Sequence, residues 1–121
     1  MKRTMMQIYV KGSIEAAEFY QRAFGAPLVA DHKNQDGTYY EHAELDVFGQ
    51  IIAIAERECK TGENMQFCLH FDLDEKEKVL KAYEVLKEDA INMAPPDSCV
   101  WSPFVFGGID KFGVNWCIFI G

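Results

Sequence analysis

Basic residues are scarce in this chain: twelve Lys and Arg stand against nineteen Asp and Glu, a net charge of −7. Nucleic-acid affinity needs cations that neutralise phosphates, so this balance argues against a nucleic-acid partner. Lys2 and Arg3 are an isolated pair near the start and make no basic patch. Long apolar runs are missing as well, and none reaches the length needed to cross a bilayer, so no membrane partner is expected. The opening Met1-Lys2-Arg3-Thr4-Met5-Met6-Gln7 lacks the apolar core of a signal peptide, from which a cytoplasmic protein is expected. Cys59, Cys68, Cys99 and Cys117 show no Cys-x-x-Cys spacing. Free thiols are therefore expected rather than a disulfide frame. Low-complexity segments are absent too.

What is present is one domain's worth of chain. At 121 residues it can bury roughly two-thirds of its unfolded surface in a core. Nine Phe, five Tyr and two Trp are generous for that length and point to an aromatic-lined interior or pocket.

The chain also repeats itself. Met6-Gln7-Ile8-Tyr9-Val10 opens one half and Met65-Gln66-Phe67-Cys68-Leu69 the other. Each reads as a strand leading into an amphipathic helix and then into further strands, the signature of a duplicated unit. In the first half a strand over 5–11 precedes a helix with Ser13 as N-cap and Glu15 in its first turn. Ala16, Ala17, Tyr20, Ala23 and Phe24 share one helix face, with Phe19 at its edge. Gly25 supplies a left-handed terminus and Pro27 stops the helix. Strands near 27–33, 38–47 and 50–57 follow, the first two joined by an Asp36-Gly37 hairpin turn. A polar connector over 58–64 separates the halves. In the second half a strand over 65–73 runs into a helix opened by an Asp74/Glu77 capping box. That helix carries Val79, Ala82, Tyr83 and Leu86 on one face. Strands near 90–94, 99–106 and 113–120 complete the pattern, with Gly107 and Gly108 read as a bend between the last two.

Strand side chains alternate between faces. Met6, Ile8 and Val10 oppose Met5, Gln7 and Tyr9. Phe67, Leu69 and Phe71 oppose Gln66, Cys68 and His70, and Trp116, Ile118 and Ile120 oppose Asn115, Cys117 and Phe119. The apolar faces pack under the helices; the mixed faces meet solvent, a partner or a ligand. Trp101, from the seventh strand, is an aromatic able to stack on a ligand. His42 beside Glu44 could orient a ligand or assist proton transfer.

Val10-Lys11-Gly12-Ser13-Ile14-Glu15-Ala16-Ala17-Glu18-Phe19-Tyr20, with Ala23-Phe24-Gly25-Ala26, resembles the opening helix of the vicinal oxygen chelate superfamily. That group includes glyoxalases, bleomycin-resistance proteins and extradiol dioxygenases. Tyr40-Glu41-His42-Ala43-Glu44-Leu45 and Asp110-Lys111-Phe112-Gly113-Val114-Asn115-Trp116 resemble its PhnB-like branch. The resemblance implies an α+β fold of two tandem βαβββ modules, about 1–57 and 65–121, forming a curved mixed sheet around a cavity. A ferredoxin-like dimeric α+β barrel is the competing fold, with fewer strands. The resemblance further implies a homodimer. Metal-dependent members place His, Gln or Glu ligands on the first, fourth, fifth and eighth strands. The corresponding positions here are Met5 (or Gln7 after a two-residue shift), Ala53 or Ala55, Gln66 and Cys117. Such a set lacks converging anionic or imidazole donors, so neither a metal nor another cofactor is expected.

The expected function is a small-molecule-binding protein without the superfamily's usual metal site. Gln7, Tyr9, Gln66, His70, Trp101, Asn115 and Cys117 are its ligand-binding candidates. The alternative is an isomerase or lyase acting on a small organic substrate, using a displaced metal or a His70/Cys117 pair.

Overall fold

The computed structural model describes residues 1–60 and 65–121. The chain divides into two compact units, Met1–Cys59 and Lys60–Gly121. Of the connector expected over 58–64, residues 61–64 lie outside the described residues.

The first unit runs β1 (Met6–Val10), α1 (Ser13–Phe24), β2 (Leu28–Lys33), β3 (Tyr40–Val47) and β4 (Gln50–Glu56). Its sheet has the order β1-β4-β3-β2, parallel between β1 and β4 and antiparallel elsewhere. The helix buries Ala16, Ala17, Phe19, Tyr20, Ala23 and Phe24, so Phe19 belongs to the packed face rather than its edge. Opposite them lie Ile8, Val10, Ala43, Leu45, Ile52 and Ile54, all buried. Each large side chain so buried contributes about 1.5–3 kcal/mol of apolar transfer. Gly25 ends the helix in the left-handed region (φ 59), the expected terminus.

The start of α1 differs from the expectation. Gly12, not Ser13, is the N-cap residue, with φ 85. The Gly12 and Ser13 N–H groups donate to the Glu56 carboxylate at 2.9 and 2.8 Å. Ser13 Oγ instead accepts the Tyr40 N–H at 2.8 Å. A carboxylate from the end of β4 therefore does the capping that the local sequence suggested for a serine.

The second unit runs β5 (Phe67–Phe71), a 3₁₀ turn (Leu73–Glu75), α2 (Lys76–Leu86), β6 (Asn92–Met93), β7 (Asp97–Cys99), β8 (Ser102–Ile109) and β9 (Asn115–Ile120). Its sheet has the order β5-β9-β8-β6, with β7 also paired to β8. β5 and β9 are parallel, and β8 is antiparallel to β9. Val79, Ala82 and Leu86 of α2 are buried, and Tyr83 meets Phe106 edge-on at 5.3 Å. They cover Trp116, Ile118 and Ile120, the apolar face expected of the last strand.

Three local expectations are corrected here. The capping box is Asp72/Glu75 rather than Asp74/Glu77, because a 3₁₀ turn precedes the helix. The strand expected over 99–106 is broken by a turn at Val100 and Trp101 into β7 and β8, so Trp101 is a turn residue. Gly107 and Gly108 lie inside β8 instead of bending between strands. There a Cβ on Gly107 would meet the Trp116 carbonyl oxygen at 2.8 Å, and one on Gly108 the Asn92 oxygen at 2.3 Å. They are needed for close backbone approach.

The fold is thus α+β, built from tandem βαβββ units, the second carrying one extra strand. The two mixed sheets and nine strands among the described residues exclude the ferredoxin-like alternative.

Candidate functional site

In the first unit, the face of the sheet turned away from α1 carries a connected polar network. Register places Gln7 and Glu44 on either side of Ala53, with Ala30 beyond Glu44, and pairs His32 with His42. Alanines at 53 and 55 leave the middle of this face low, so longer neighbours reach across it. His42 does so: Nδ1 lies 2.9 Å from Gln7 Oε1 and Nε2 lies 2.8 Å from Glu44 Oε2. Arg3 closes on Glu44 with a two-pronged contact, Nη1 to Oε1 at 2.6 Å and Nη2 to Oε2 at 3.0 Å. Gln7 Nε2 donates to the Tyr9 hydroxyl at 3.3 Å. The Arg57 guanidinium stacks 4.3 Å from the centre of the Tyr9 ring.

The centre of this network is Glu44, only 7% exposed. The hydrogen bond from Arg3, reinforced by His42, holds its carboxyl at about 2, well below the usual 4.5. Glu44 is therefore ionised and can only accept, so His42 Nε2 carries the proton between them. The other ring nitrogen meets an amide, which can present its oxygen or its NH₂.

In the second unit, the face turned away from α2 is aromatic and thiol-bearing. His70 stacks on Phe119 at 4.6 Å, and Trp101 meets the same ring edge-on at 4.8 Å. His70 Nε2 lies 3.0 Å from the Gly121 carbonyl oxygen. Gln66 Nε2 donates to Asn115 Oδ1 at 3.2 Å and to the Trp116 carbonyl at 3.4 Å. Cys117 pairs in register with Cys68 on one side and with Gly107 on the other. Burial pushes the Cys117 thiol pKa up, and the neighbouring Cys68 and Cys99 add to the effect.

The seven ligand-binding candidates therefore fall into two groups. Gln7 and Tyr9 join the polar network of the first unit, and Gln66, His70, Trp101, Asn115 and Cys117 line one face of the second. The proposed Cys/His pair finds little support in this arrangement. His70 faces Phe119 and bonds a carbonyl, and a thiol with a raised pKa is a poor nucleophile. Sequence reasoning missed Arg3, which lies outside any element and is 41 residues from Glu44. It also gave Glu44 too small a part, although its alternation with His42 was visible.

Asp110, from the Asp-Lys-Phe-Gly signature, is fully buried and holds the turn between β8 and β9. Its Oδ1 accepts from the Phe112 and Val114 N–H groups at 2.8 and 3.1 Å, and Oδ2 from Trp116 Nε1 at 2.8 Å. That signature is structural.

The residues present do not fit the superfamily's metal. Ala53 is fully buried and has no donor, and the space above it is spanned by the His42–Gln7 bond. Gln66 is turned to Asn115 and a backbone carbonyl, and Cys117 is held as a thiol. Among the described residues no group of three or more His, Cys, Asp or Glu is placed to hold a metal ion. No helix among them is long and apolar enough to cross a membrane.

The fold is shared with several solved structures. The PhnB protein from Bacillus cereus is 18% identical with a TM-score of 0.81, covering 99% of this chain and 100% of that one. A protein from Pseudomonas aeruginosa is 17% identical with a TM-score of 0.79, over 99% and 98%. The fosfomycin resistance protein FosX from Listeria monocytogenes is 16% identical with a TM-score of 0.73, over 98% and 92%. Among curated proteins no relative matches the chain. The family model of the Glyoxalase/Bleomycin resistance protein/Dioxygenase superfamily matches residues 3–118, and the chain belongs to that superfamily.

Proposed function

We propose that this protein binds a small, partly aromatic or apolar molecule, as a homodimer and without the metal used by other members of its superfamily. The observation that carries this reading is the mismatch at the ligand positions. Met5, Ala53 or Ala55, and Cys117 stand at three of the four positions where His, Gln or Glu would project, Gln66 alone is of a ligand type, and a hydrogen-bond network spans the alanines. A mutant of FosX, by contrast, has been crystallised with Mn(II) and 1S,2S-dihydroxypropylphosphonic acid. That a fosfomycin resistance protein shares the fold supports a protein that handles a small molecule.

Gln7, Tyr9, Gln66, His70, Trp101, Asn115 and Cys117 are the proposed ligand contacts. Trp101 is 60% exposed and Tyr9 39%, which leaves aromatic surface available to a ligand ring. The polar residues would fix its orientation. A partner chain would cover an outer strand of one of the sheets.

Two measurements test the reading. Aromatic small molecules titrated into the protein should quench tryptophan fluorescence saturably, and Trp101→Phe should remove most of that response. Protein incubated with Zn²⁺, Ni²⁺, Mn²⁺ and Fe²⁺ and then desalted should retain no stoichiometric metal. Retention that disappears in Gln66→Ala or His70→Ala would sink the metal-free reading. Light scattering at one chain's mass would sink the dimer.

A further inference from the structure

We propose that Cys68 and Cys117 form a reversible intrachain disulfide, a thiol-modification site on the face of the second sheet turned away from α2. All four cysteines are free thiols, and these two are direct register partners on the parallel strands β5 and β9. Neighbouring strands lie about 4.8 Å apart. That falls inside the range of about 4.4–6.8 Å between the Cα atoms of bonded cysteines. Register partners also project from the same face, so the two thiols start side by side.

Three further observations favour this pair. Cys68 is exposed, so an oxidant can reach it. Among the described residues β5 is the terminal strand of its sheet and pairs there with β9 alone. On the other side of Cys117 the register partner is Gly107, which has no side chain to obstruct rotation of the thiol. Cys68, the exposed member of the pair, meets the oxidant first, and Cys117 beside it in register resolves the mixed disulfide.

The oxidant is a low-molecular-weight disulfide. The Cys68 thiolate attacks one of its sulfurs, the disulfide bond breaks, and one small thiol leaves with the proton that Cys68 gave up. Cys117 then loses its proton and attacks the Cys68 sulfur of the mixed disulfide. The protein disulfide forms, and the second small thiol leaves protonated. Both cysteines are oxidised and one molecule of small disulfide is reduced to two thiols. Adjacent-strand disulfides depart from relaxed geometry, which makes them easily reduced again.

Full-length protein treated with glutathione disulfide tests this. Two of the four thiols should be lost, and non-reducing peptide mapping should show Cys68 linked to Cys117 in monomeric chains. Dithiothreitol should restore all four. Cys117→Ser should instead trap glutathione on Cys68, and Cys99→Ser should leave the link intact. The third thiol makes the last variant necessary, since Cys99 also acts on Cys117. A link from either residue to Cys99 or Cys59, stable glutathione on the unaltered chain, or no thiol loss would overturn the proposal.

Discussion

Glu56 and Ser13 are joined through the backbone: the carboxylate that ends β4 accepts the N–H of the first residue of α1 at 2.8 Å, and that of Gly12 at 2.9 Å. The helix is thus capped by a residue 43 positions away. Burial raises the Glu56 pKa, but the Ser13 and Gly12 hydrogen bonds outweigh it and leave the carboxyl below its usual range. Replacing Glu56 with Ala removes both acceptors. A lost cap costs about 1–2 kcal/mol. In a domain of this size that lowers Tm by several degrees, and thermal unfolding followed by circular dichroism reads the shift. Ser13→Ala strands the buried Tyr40 N–H, at about 1–3 kcal/mol, and also removes the hydroxyl's hydrogen bond to Glu56. If Ser13→Ala proved neutral while Glu56→Ala did not, neither hydroxyl bond of Ser13 would carry stability and the backbone N–H contacts to Glu56 alone would hold the cap.

The Arg3–Glu44 pair makes stability depend on pH in a stated direction. The folded-state pKa of Glu44 is depressed to about 2 from 4.5. The stabilisation is therefore present above 4.5 and is lost as pH falls from there through about 2. Urea unfolding of the unaltered protein and of Glu44→Gln should show a gap at neutral pH that closes across that window. A gap that persists unchanged at the acidic end would contradict the pairing. Arg3→Ala should shift the Glu44 carboxyl resonance titration upward.

Asp110 offers a sharper test of the terminal signature. Both its oxygens are used, one by two backbone N–H groups and one by the Trp116 indole. Asp110→Asn keeps the shape but turns an NH₂ toward one of those donors. A buried donor left without an acceptor costs about 1–3 kcal/mol. Chemical denaturation should register a loss of that size, and the indole N–H resonance of Trp116 should move. An unperturbed resonance would mean that Asp110 does not hold it.

Gly108 sits at φ 149, and an added Cβ would lie 2.3 Å from the Asn92 oxygen and 2.8 Å from Met93 Cα. Both are backbone atoms of β6, so relief requires moving that strand. Overpacking of this kind costs about 1–3 kcal/mol, and the left-handed backbone adds to it. Gly108→Ala should therefore lower the unfolding midpoint, with faster amide exchange at Asn92 and Met93. Gly37→Ala, also at positive φ (68) but with nothing within 4 Å, should be milder.

Much of this architecture was legible because it is written in short-range patterns. The alternation of Trp116, Ile118 and Ile120 with Asn115, Cys117 and Phe119 set the inner face of β9, and burial follows it. The spacing of Ala16, Ala17, Tyr20, Ala23 and Phe24 set the face of α1, and Gly25 its end. Trp101 was misplaced because Val100 and Trp101 look like strand residues; the tight pairing of β7 with β8 makes them a turn. The capping box slipped by two residues because a 3₁₀ turn at Leu73–Glu75 starts the helix early.

The acidic balance was set by composition, and the doubled strand–helix–strand pattern and the polar alternation of the mixed faces by the order of residues, since both patterns depend on neighbours a few positions apart. Which residues meet on those faces was decided only by tertiary structure. Arg3 reaches Glu44, His42 bridges to Gln7 over Ala53, Glu56 caps α1, and Cys68 lies beside Cys117. Each of those pairs is set by strand register or by chain return over dozens of residues, and no local periodicity encodes it.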